Sequence, residues 1–472
     1  MELRPYQKND VKTLRSTVLG GARRVLFEAS VGYGKSVVIE HLAHAYAAAG
    51  RPVFVLSNRK AVVDQLRKRA RGHDLIQVMT VQAADARRDR LPKFCLVLID
   101  EAHMGGAATQ YARVVGAAAH PGTLVVDFTG TPTPGLFKLA DAHVAGRDAA
   151  WLTAHGFLSP LEYWTPYTPD LSGVALSKGD YQTAGLLEVA EREKAQRLGS
   201  VLESYTTRCA GEPTLGFCID IADAEAVAAR FHAEGIAAEV LTGRDGEDET
   251  ARKIRALQDG GLVLSVSKVS AGFDLPDLRH ILALRPTKSP HLWVQMLGRA
   301  ARAAEGKPCG VVHDHSGNAD RLGTLTLKSD WRAGGQPGPD ERTEDGRALG
   351  VRTCEQCMRI WESAGGSVCP ACGHDNRQDR RISEREAVEM RKREAAEIDA
   401  RHEAEKAIRD RAGRPVKQHM GFLFNAKGWR WPDARAEAAR VAKRRLDQAE
   451  RAGDVEVAAL IRSDLEAVGI RP

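Results

Sequence analysis

The sequence lacks any long apolar run. No stretch of its 472 residues approaches the roughly 18 consecutive apolar residues that a membrane-spanning helix needs, so we expect no membrane partner. The first residues, MELRPYQKND, also lack the basic region followed by an apolar region that marks a secretory signal. These two absences predict a cytoplasmic protein.

Cysteine is scarce as well. Eight cysteines would make a thin disulfide framework for a chain of this length. Four of them are scattered, namely Cys95, Cys209, Cys218 and Cys309, and we interpret these as small buried apolar residues. The other four are clustered, which favours a metal site in a reducing compartment.

An excess of charge of one sign is also missing. The formal net charge is only +6, too little to indicate a polyanionic partner by itself. The chain is 43% hydrophobic and 28% charged, which excludes wholesale disorder and a collagen-like chain. Its length predicts two to four folded units.

Short apolar runs alternate with helical patterns in two regions of the chain. Runs without polar alternation are typical of parallel strands that are covered on both faces, and their alternation with helices predicts two tandem α/β lobes. The predicted strands are Val25–Phe27, Val53–Leu56, Leu96–Ile99, Leu124–Phe128, Leu215–Ile219, Ala237–Leu241, Leu262–Val266, His280–Leu284 and Gly310–His313.

Composition predicts the boundaries between the units. Two stretches rich in Pro, Gly and polar residues predict linkers, and a charged run without an apolar seam predicts a solvated helix. The predicted units are a first lobe at 1–155, a linker at 156–195, a second lobe at 196–330, a linker at 331–350, a cysteine-containing module at 351–376, the charged helix at 377–412 and a helical basic tail at 413–472.

A candidate phosphate loop follows the first predicted strand and opens a helix. In the segment Ala29–Ser36, Gly32 and Gly34 permit a tight turn, Lys35 would reach the β- and γ-phosphates, and the Ser36 hydroxyl would bind Mg²⁺. The alternative is an ordinary glycine-containing connection between a strand and a helix.

A pair of acidic residues ends the predicted strand Leu96–Ile99. Carboxylates at this edge of an open α/β sheet face the crevice where ligands bind. Asp100 would then bind Mg²⁺ and Glu101 would act on the attacking water. Alone, such a pair is a weak signal, because charged residues are the norm in loops. The upstream phosphate loop in the same lobe makes the catalytic interpretation strong.

These motifs, together with others in the same order, resemble those of superfamily 2 helicases of the DEAD/DEAH-box type. The similarity covers residues 1–325. The further matching segments are Leu3–Gln7, Ser57–Lys60, Thr80–Gln82, Thr129–Pro132, Ser270–Pro276 and Gln295–Arg302. Of these, Ser57–Lys60 and Thr80–Gln82 resemble first-lobe motifs that hold a nucleic-acid backbone, and Thr129–Pro132 resembles the motif that links the ATP state to the strand-binding surface.

The resemblance implies two RecA-like P-loop lobes that hold ATP and Mg²⁺ between them and bind a nucleic-acid strand. Arg299 and Arg302, three residues apart, are expected on one helix face as arginine fingers, whereas the alternative is two solvated arginines. The implied nucleotide-binding residues are Gln7, Gly32, Tyr33, Gly34, Lys35, Ser36, Asp100, Gly272 and Asp274. The implied catalytic residues are Lys35, Asp100, Glu101, Gln295, Arg299 and Arg302, with Ser36 and Asp100 on Mg²⁺.

Within this superfamily, the chain is most similar to RadD-like DNA-repair helicases and related phage or prophage helicases. The shared segments are His155–Pro160, Arg285–Ser289 and Asp314–Asn318, followed by a zinc ribbon. The resemblance implies an ATP-dependent helicase or translocase that acts on DNA in preference to RNA, with unnamed repair or replication partners. The alternatives are a duplex translocase that does not separate strands and an adaptor whose ATP cycle only switches nucleic-acid binding.

The clustered cysteines form two Cys-x-x-Cys pairs. Cys354 and Cys357 are separated by eleven residues from Cys369 and Cys372. Four thiolates suit a closed, tetrahedral Zn²⁺ site, whereas the alternative is a redox pair. Two pairs in one short segment favour zinc.

The basic residues are unevenly distributed. Residues 1–155 carry 21 Lys and Arg against 13 Asp and Glu, whereas residues 156–345 carry 21 against 28. In the tail, Trp429 and Trp431 stand among Lys and Arg residues, a pattern that suits either a nucleic-acid contact or a small helical core. This distribution favours the first lobe and the tail as places that hold a polyanion.

Overall fold

The computed structural model describes residues 2–70, 72–104, 108–177, 179–266, 275–335, 350–376 and 431–471, with scattered residues between 407 and 423. The chain forms two compact units, Met1–Asn376 and Arg377–Pro472. The predicted charged helix at 377–412 falls largely outside the described residues, as do Gly272, Asp274 and Trp429.

The first lobe is a six-stranded parallel sheet of order β3-β2-β4-β5-β1-β6. The strands are β1 Arg24–Glu28, β2 Val53–Ser57, β3 Ile76–Thr80, β4 Leu96–Asp100, β5 Leu124–Thr129 and β6 Ala142–Ala145. The helices are α1 Pro5–Leu19, α2 Lys35–Ala48, α3 Lys60–Arg69, α4 Val81–Asp85, α5 Ala108–Ala118, α6 Pro134–Leu139 and α7 Ala149–Ala154.

The central strands of this sheet are buried on both faces, as their continuous apolar runs predict. All residues of β2, β4 and β5 are buried. Val55 and Leu98 belong to the hydrophobic core on one face, whereas Phe54 and Val97 belong to the core on the other. The edge strands β3 and β6 were not predicted, because partly exposed residues such as Gln77 and His143 interrupt their apolar runs.

The second lobe contains an eight-stranded sheet of order β11-β12-β10-β13-β14-β7-β16-β15. The strands are β7 Leu161–Trp164, β8 Leu176–Ser177, β9 Asp180–Tyr181, β10 Thr214–Phe217, β11 Ala238–Leu241, β12 Leu262–Ser265, β13 His280–Ala283, β14 Gly310–Asp314, β15 Val351–Thr353 and β16 Arg359–Glu362, with β8 and β9 forming a separate pair. The helices are α8 Thr183–Arg192, α9 Lys194–Arg208, α10 Ile221–Ala233, α11 Glu247–Gln258, α12 Pro290–Ala300 and α13 Asn318–Leu322.

The prediction of a linker at 156–195 needs correction. Strand β7 lies inside this range and pairs in parallel with β14, and α8 lies there as well. The strand has only four residues and stands between Pro160 and Pro166, so composition alone indicated a loop. This segment therefore belongs to the second lobe.

The cysteine-containing module continues the sheet of the second lobe. Strand β16 pairs antiparallel with β7, and β15 pairs antiparallel with β16. The hydroxyl oxygen of Tyr163 in β7 accepts a hydrogen bond from the backbone N–H of Leu325 at 2.8 Å. The second sheet is thus mixed, with its parallel part formed by the lobe and its antiparallel edge by the module.

The described part of the carboxyl-terminal unit includes the helices α14 Trp431–Arg451 and α15 Val455–Glu466. Ala438 and Leu446 of α14 share a hydrophobic core with Ile461 and Leu465 of α15. None of the helices in the described parts of the chain has the length and apolar character needed to cross a membrane.

Candidate active site

A cavity of about 510 Å³ lies between the two lobes. It brings together most of the residues predicted for nucleotide binding and catalysis. From the first lobe these are Gly32, Gly34, Lys35, Ser36, Asp100 and Glu101, and from the second lobe Gln295, Arg299 and Arg302.

The phosphate loop owes its shape to two glycines. Gly32 has a φ of +74° and Gly34 a φ of +88°, values that favour glycine. A Cβ would lie 2.3 Å from Leu158 Cδ2 at Gly32 and 2.7 Å from Gln7 Nε2 at Gly34. Helix α2 begins immediately afterwards at Lys35, so the loop leads into a helix N-terminus, which favours a bound phosphate.

Gln7 and the Tyr33 side chain stabilise the phosphate loop through hydrogen bonds, and neither residue lines the cavity. The Gln7 amide donates to the Tyr33 carbonyl at 2.9 Å, and the Tyr6 hydroxyl donates to the same carbonyl at 2.9 Å. The Tyr33 side chain is fully buried and donates its hydroxyl to Asp10 at 2.8 Å. Burial raises the pKa of Tyr33, and Asp10 raises it further. The Tyr33 side chain is therefore held away from the cavity, and the contact of Gln7 and Tyr33 with the nucleotide stays a prediction.

The acidic pair lies at the carboxyl end of β4. Glu101 has a φ of +51°, a strained value for a residue with a side chain. Its Oε1 lies 3.3 Å from Lys35 Nζ and 3.7 Å from an Arg59 guanidinium nitrogen. Burial alone would raise the pKa of Glu101, but Lys35 and Arg59 outweigh it and lower the pKa. Burial and the neighbouring Glu101 raise the pKa of Asp100, which accepts from the Ser57 hydroxyl at 3.3 Å.

His103 connects this acidic pair to the second lobe. Its Nε2 lies 3.3 Å from the Gln295 amide nitrogen, which can only donate. The proton therefore resides on Nδ1, which lies 2.7 Å from Thr129 Oγ1 and 3.3 Å from Glu101 Oε2. Burial lowers the pKa of His103 to about 4, so the ring is neutral at pH 7.

The second lobe reaches the phosphate loop through α12. A Cβ at Gly298 would lie only 2.0 Å from Val31 Cγ1, so a larger residue there would separate the helix from the loop. Helix α12 ends at Ala300, and the expectation of Arg299 and Arg302 on one helix face is therefore wrong. Arg302 follows the helix and forms a β-bridge with Leu158, yet both arginines line the cavity.

Arg59 is a site residue that sequence reasoning assigned to a different role. Its segment resembles a motif that holds nucleic acid, but its guanidinium lines the nucleotide cavity and donates to Gln295 Oε1 at 3.2 Å. Its position just after the carboxyl end of β2, at the same sheet edge as the phosphate loop, is the signal that could have indicated this role.

Comparisons with known proteins agree with this geometry. Residues 3–131 match the AAA domain family, and residues 193–304 match the family described as the helicase conserved C-terminal domain. The chain is a superfamily 2 helicase. It is an enzyme that couples ATP hydrolysis to the unwinding of nucleic acid or to translocation along it.

Relatives of this helicase occur in a phage and in yeasts. A 51.5 kDa protein of a Lactococcus phage is 25% identical over 383 residues, which are 78% of this chain and 83% of that protein. The protein named as the ATP-dependent helicase IRC3 of Saccharomyces cerevisiae is 26% identical over 46% of this chain and 33% of its own length. A Schizosaccharomyces pombe protein named as a mitochondrial ATP-dependent helicase is 27% identical over 72% of this chain and 61% of its own length.

A solved structure supports the fold of this helicase. A fragment assigned to the HsdR subunit of a type I restriction enzyme from Vibrio vulnificus superimposes with a TM-score of 0.55 at 17% identity. The match covers 70% of this chain and 66% of that one.

The four clustered cysteines of this helicase converge at the end of the second lobe's sheet. The Sγ atoms of Cys354 and Cys372 lie 3.6 Å apart, as do those of Cys357 and Cys369, and all four lie within 4.8 Å of one another. Tetrahedral zinc with Zn–S bonds of about 2.3 Å holds its sulfurs about 3.8 Å apart, so this donor set fits Zn²⁺.

Proposed function

We propose that this helicase moves along DNA and separates its strands, in repair, recombination or phage replication. The observation that carries the proposal is the composition of the cavity between the lobes. Lys35 and the two carboxylates enter it from the first lobe, and Gln295 and two arginines enter it from the second. Chemistry in this cavity therefore depends on how the lobes lie against each other.

The first lobe supplies the groups that bind and activate. The N-terminus of α2 and Lys35 would hold the phosphates of ATP. Ser36 and Asp100 would hold Mg²⁺, which supplies positive charge against the phosphate oxygens. Both residues line the cavity, and their hydroxyl and carboxylate oxygens are suitable ligands for this ion.

Glu101 is the candidate base for the attacking water. Lys35 and Arg59 now pair with its carboxylate, and phosphate oxygens would compete for these two cations. Loss of that pairing raises the pKa of Glu101 from its lowered value, which makes the carboxylate a better proton acceptor. Nucleotide binding and base activation are thereby linked.

The second lobe supplies charge to the transition state. Arg299 and Arg302 line the same cavity, and arginine fingers of this kind accelerate phosphoryl transfer by about 10³–10⁵. Loss of the γ-phosphate removes their partner and favours separation of the lobes. The two lobes then take turns in holding a strand that is bound across both of them, and the strand advances.

Several observations support DNA as the polymer. The sequence resembles RadD-like DNA-repair helicases and phage helicases, and a phage protein is among the relatives. The two segments that resemble motifs for a nucleic-acid backbone, Ser57–Lys60 and Thr80–Gln82, begin at the carboxyl ends of β2 and β3, and they suit a strand of either nucleic acid. The similarity in fold to a restriction-enzyme subunit favours a second candidate function, translocation along duplex DNA without strand separation.

The test is steady-state ATP hydrolysis at a fixed salt concentration with no polymer, single-stranded DNA, duplex DNA or RNA, combined with a strand-displacement assay. We expect DNA to stimulate hydrolysis and the displaced strand to accumulate only with ATP. Stimulation by RNA alone would overturn the assignment to DNA. Stimulation by duplex DNA without displacement would establish the second candidate, whereas ATP-dependent binding without movement would indicate an adaptor.

A further inference from the structure

A second group of metal-ligating side chains lies in the core of the second lobe, apart from the four clustered cysteines. Cys209 follows the end of α9, His280 begins β13 and His313 lies in β14. Cys209 and His313 are fully buried, and His280 is 3% exposed. The three residues are far apart in the sequence, with no recognisable ligand spacing, and only the fold brings them together.

The ligand atoms of this group converge on one point. His313 Nε2 lies 3.3 Å from Cys209 Sγ and 3.2 Å from His280 Nδ1, and the three atoms lie within 4.8 Å of one another. Around a tetrahedral zinc with Zn–N bonds of about 2.05 Å and Zn–S bonds of about 2.3 Å, neighbouring N and N atoms are about 3.3 Å apart and N and S atoms about 3.5 Å. The two distances from His313 Nε2 are therefore close to those around a zinc ion.

The orientation of His280 suits a metal ligand. Its Nε2 lies 3.1 Å from the Glu212 carboxylate, which Arg279 holds at 3.2 Å. The Nε2 proton is donated to Glu212, so the lone pair of Nδ1 is directed at the other two ligand atoms. A carboxylate on the outer nitrogen of a ligating histidine is a recurrent feature of zinc sites.

Hydrogen bonding holds this group only weakly. A proton on His313 Nε2 can serve the lone pair of His280 Nδ1 at 3.2 Å. The Cys209 thiol can then donate to the Ser204 carbonyl at 3.6 Å, but a thiol is a weak donor. A metal ion would replace these contacts with direct bonds to all three ligand atoms.

We propose that Cys209, His280 and His313 bind a second Zn²⁺ ion, with Glu212 orienting His280. The thiolate and the two imidazoles are ligands that zinc prefers, and a water molecule or a backbone carbonyl completes the coordination. Because the ligands are buried, the site is structural. It fixes the end of α9 to two neighbouring strands of the second lobe's sheet.

The test is the zinc content of the purified full-length chain, measured by mass spectrometry alongside the protein concentration. Wild type is compared with Cys209→Ala, with Cys372→Ala in the cysteine cluster, and with Cys218→Ala, a matched control that also removes a buried cysteine of this lobe. We expect two zinc ions per chain in wild type and in the control, and one in each of the other two variants.

Two results would overturn the proposal. One is a zinc content in Cys209→Ala equal to that of wild type. If Cys209→Ala does not fold, Cys372→Ala decides the matter, because complete absence of zinc from that folded variant leaves no second ion. Substitution with Co²⁺ adds an independent readout. In Cys372→Ala we expect a sulfur-to-cobalt absorption band from the remaining cysteine site, and its absence counts against the second ion.

Discussion

The guanidinium of Arg59 in the first lobe donates to Oε1 of Gln295 in α12 of the second lobe at 3.2 Å. The same guanidinium lies 3.7 Å from Glu101 Oε1. One side chain thus joins the candidate base to the helix that carries Arg299. We therefore expect a change of partner at Glu101 to affect the second lobe through Arg59.

Substitution Arg59→Ala should slow ATP hydrolysis even though the residue is absent from the phosphate loop. Loss of a charged hydrogen bond costs about 1.5–3 kcal/mol, so we expect kcat to fall by roughly tenfold to a hundredfold. Arg59→Lys should retain part of the rate, because it keeps the charge but loses the forked geometry. Arg88→Ala removes an exposed arginine of the same lobe and is the control. Equal rates for Arg59→Ala and wild type would disprove this role.

Substitution Gly298→Ala should impair closure of the lobes. The new Cβ would lie 2.0 Å from Val31 Cγ1, so α12 must move away from the phosphate loop. We expect a fall in kcat of at least about tenfold, since displacement of catalytic groups by about 1 Å is costly. Val31→Ala removes the clashing methyl groups, and the double variant should therefore regain activity.

The control for this pair is Gly199→Ala in α9. A Cβ at Gly199 meets no described atom within 4 Å, and alanine favours a helix interior over glycine by about 0.5–1 kcal/mol. We expect wild-type kcat and an equal or higher Tm. If Gly298→Ala were as active as this control, α12 would not need its close contact with the loop.

His315 should make the second lobe sensitive to acid. Burial lowers the pKa of this fully buried ring to about 3, whereas an unfolded histidine has a pKa of about 6.5. As the pH falls below 6.5, His315 binds a proton in the unfolded chain but not in the folded chain. This difference lowers the free energy of unfolding by about 2 kcal/mol at pH 5.

The measurement is the fall in Tm between pH 7.5 and pH 5, which we expect to be smaller in His315→Gln than in wild type. Burial raises the pKa of Asp100 and of Asp314 to about 6, so these carboxyls act with the opposite sign and stabilise the folded chain as the pH falls. The comparison is therefore between variant and wild type. An equal fall in both proteins would show that His315 does not contribute.

The sequence predicted the central strands well because their burial leaves a simple pattern. Every residue of Leu96–Asp100 is buried, and an uninterrupted apolar run is the direct result. Strand β7 was not predicted, because a strand of only four residues between Pro160 and Pro166 carries no comparable signal. Its place in the sheet depends on long-range pairing with β14, which composition does not encode.

The site was predictable where it consists of local motifs. The phosphate loop and the acidic pair are contiguous in sequence, and both line the predicted cavity. The role of Arg59, the position of Arg302 beyond the end of α12, and the convergence of Cys209 with His313 all depend on contacts between distant segments. Local sequence patterns do not predict contacts of this kind.

The measurement that tests the central claim most directly is the rate of phosphate release from ATP and Mg²⁺ with single-stranded DNA present. Wild type is compared with Glu101→Gln, Arg302→Ala and the exposed control Lys12→Ala. We expect losses of about 10²–10⁴ for Glu101→Gln and about 10³–10⁵ for Arg302→Ala, with the control at the wild-type rate. Rates within twofold of wild type in both site variants would contradict an ATPase site shared by the two lobes.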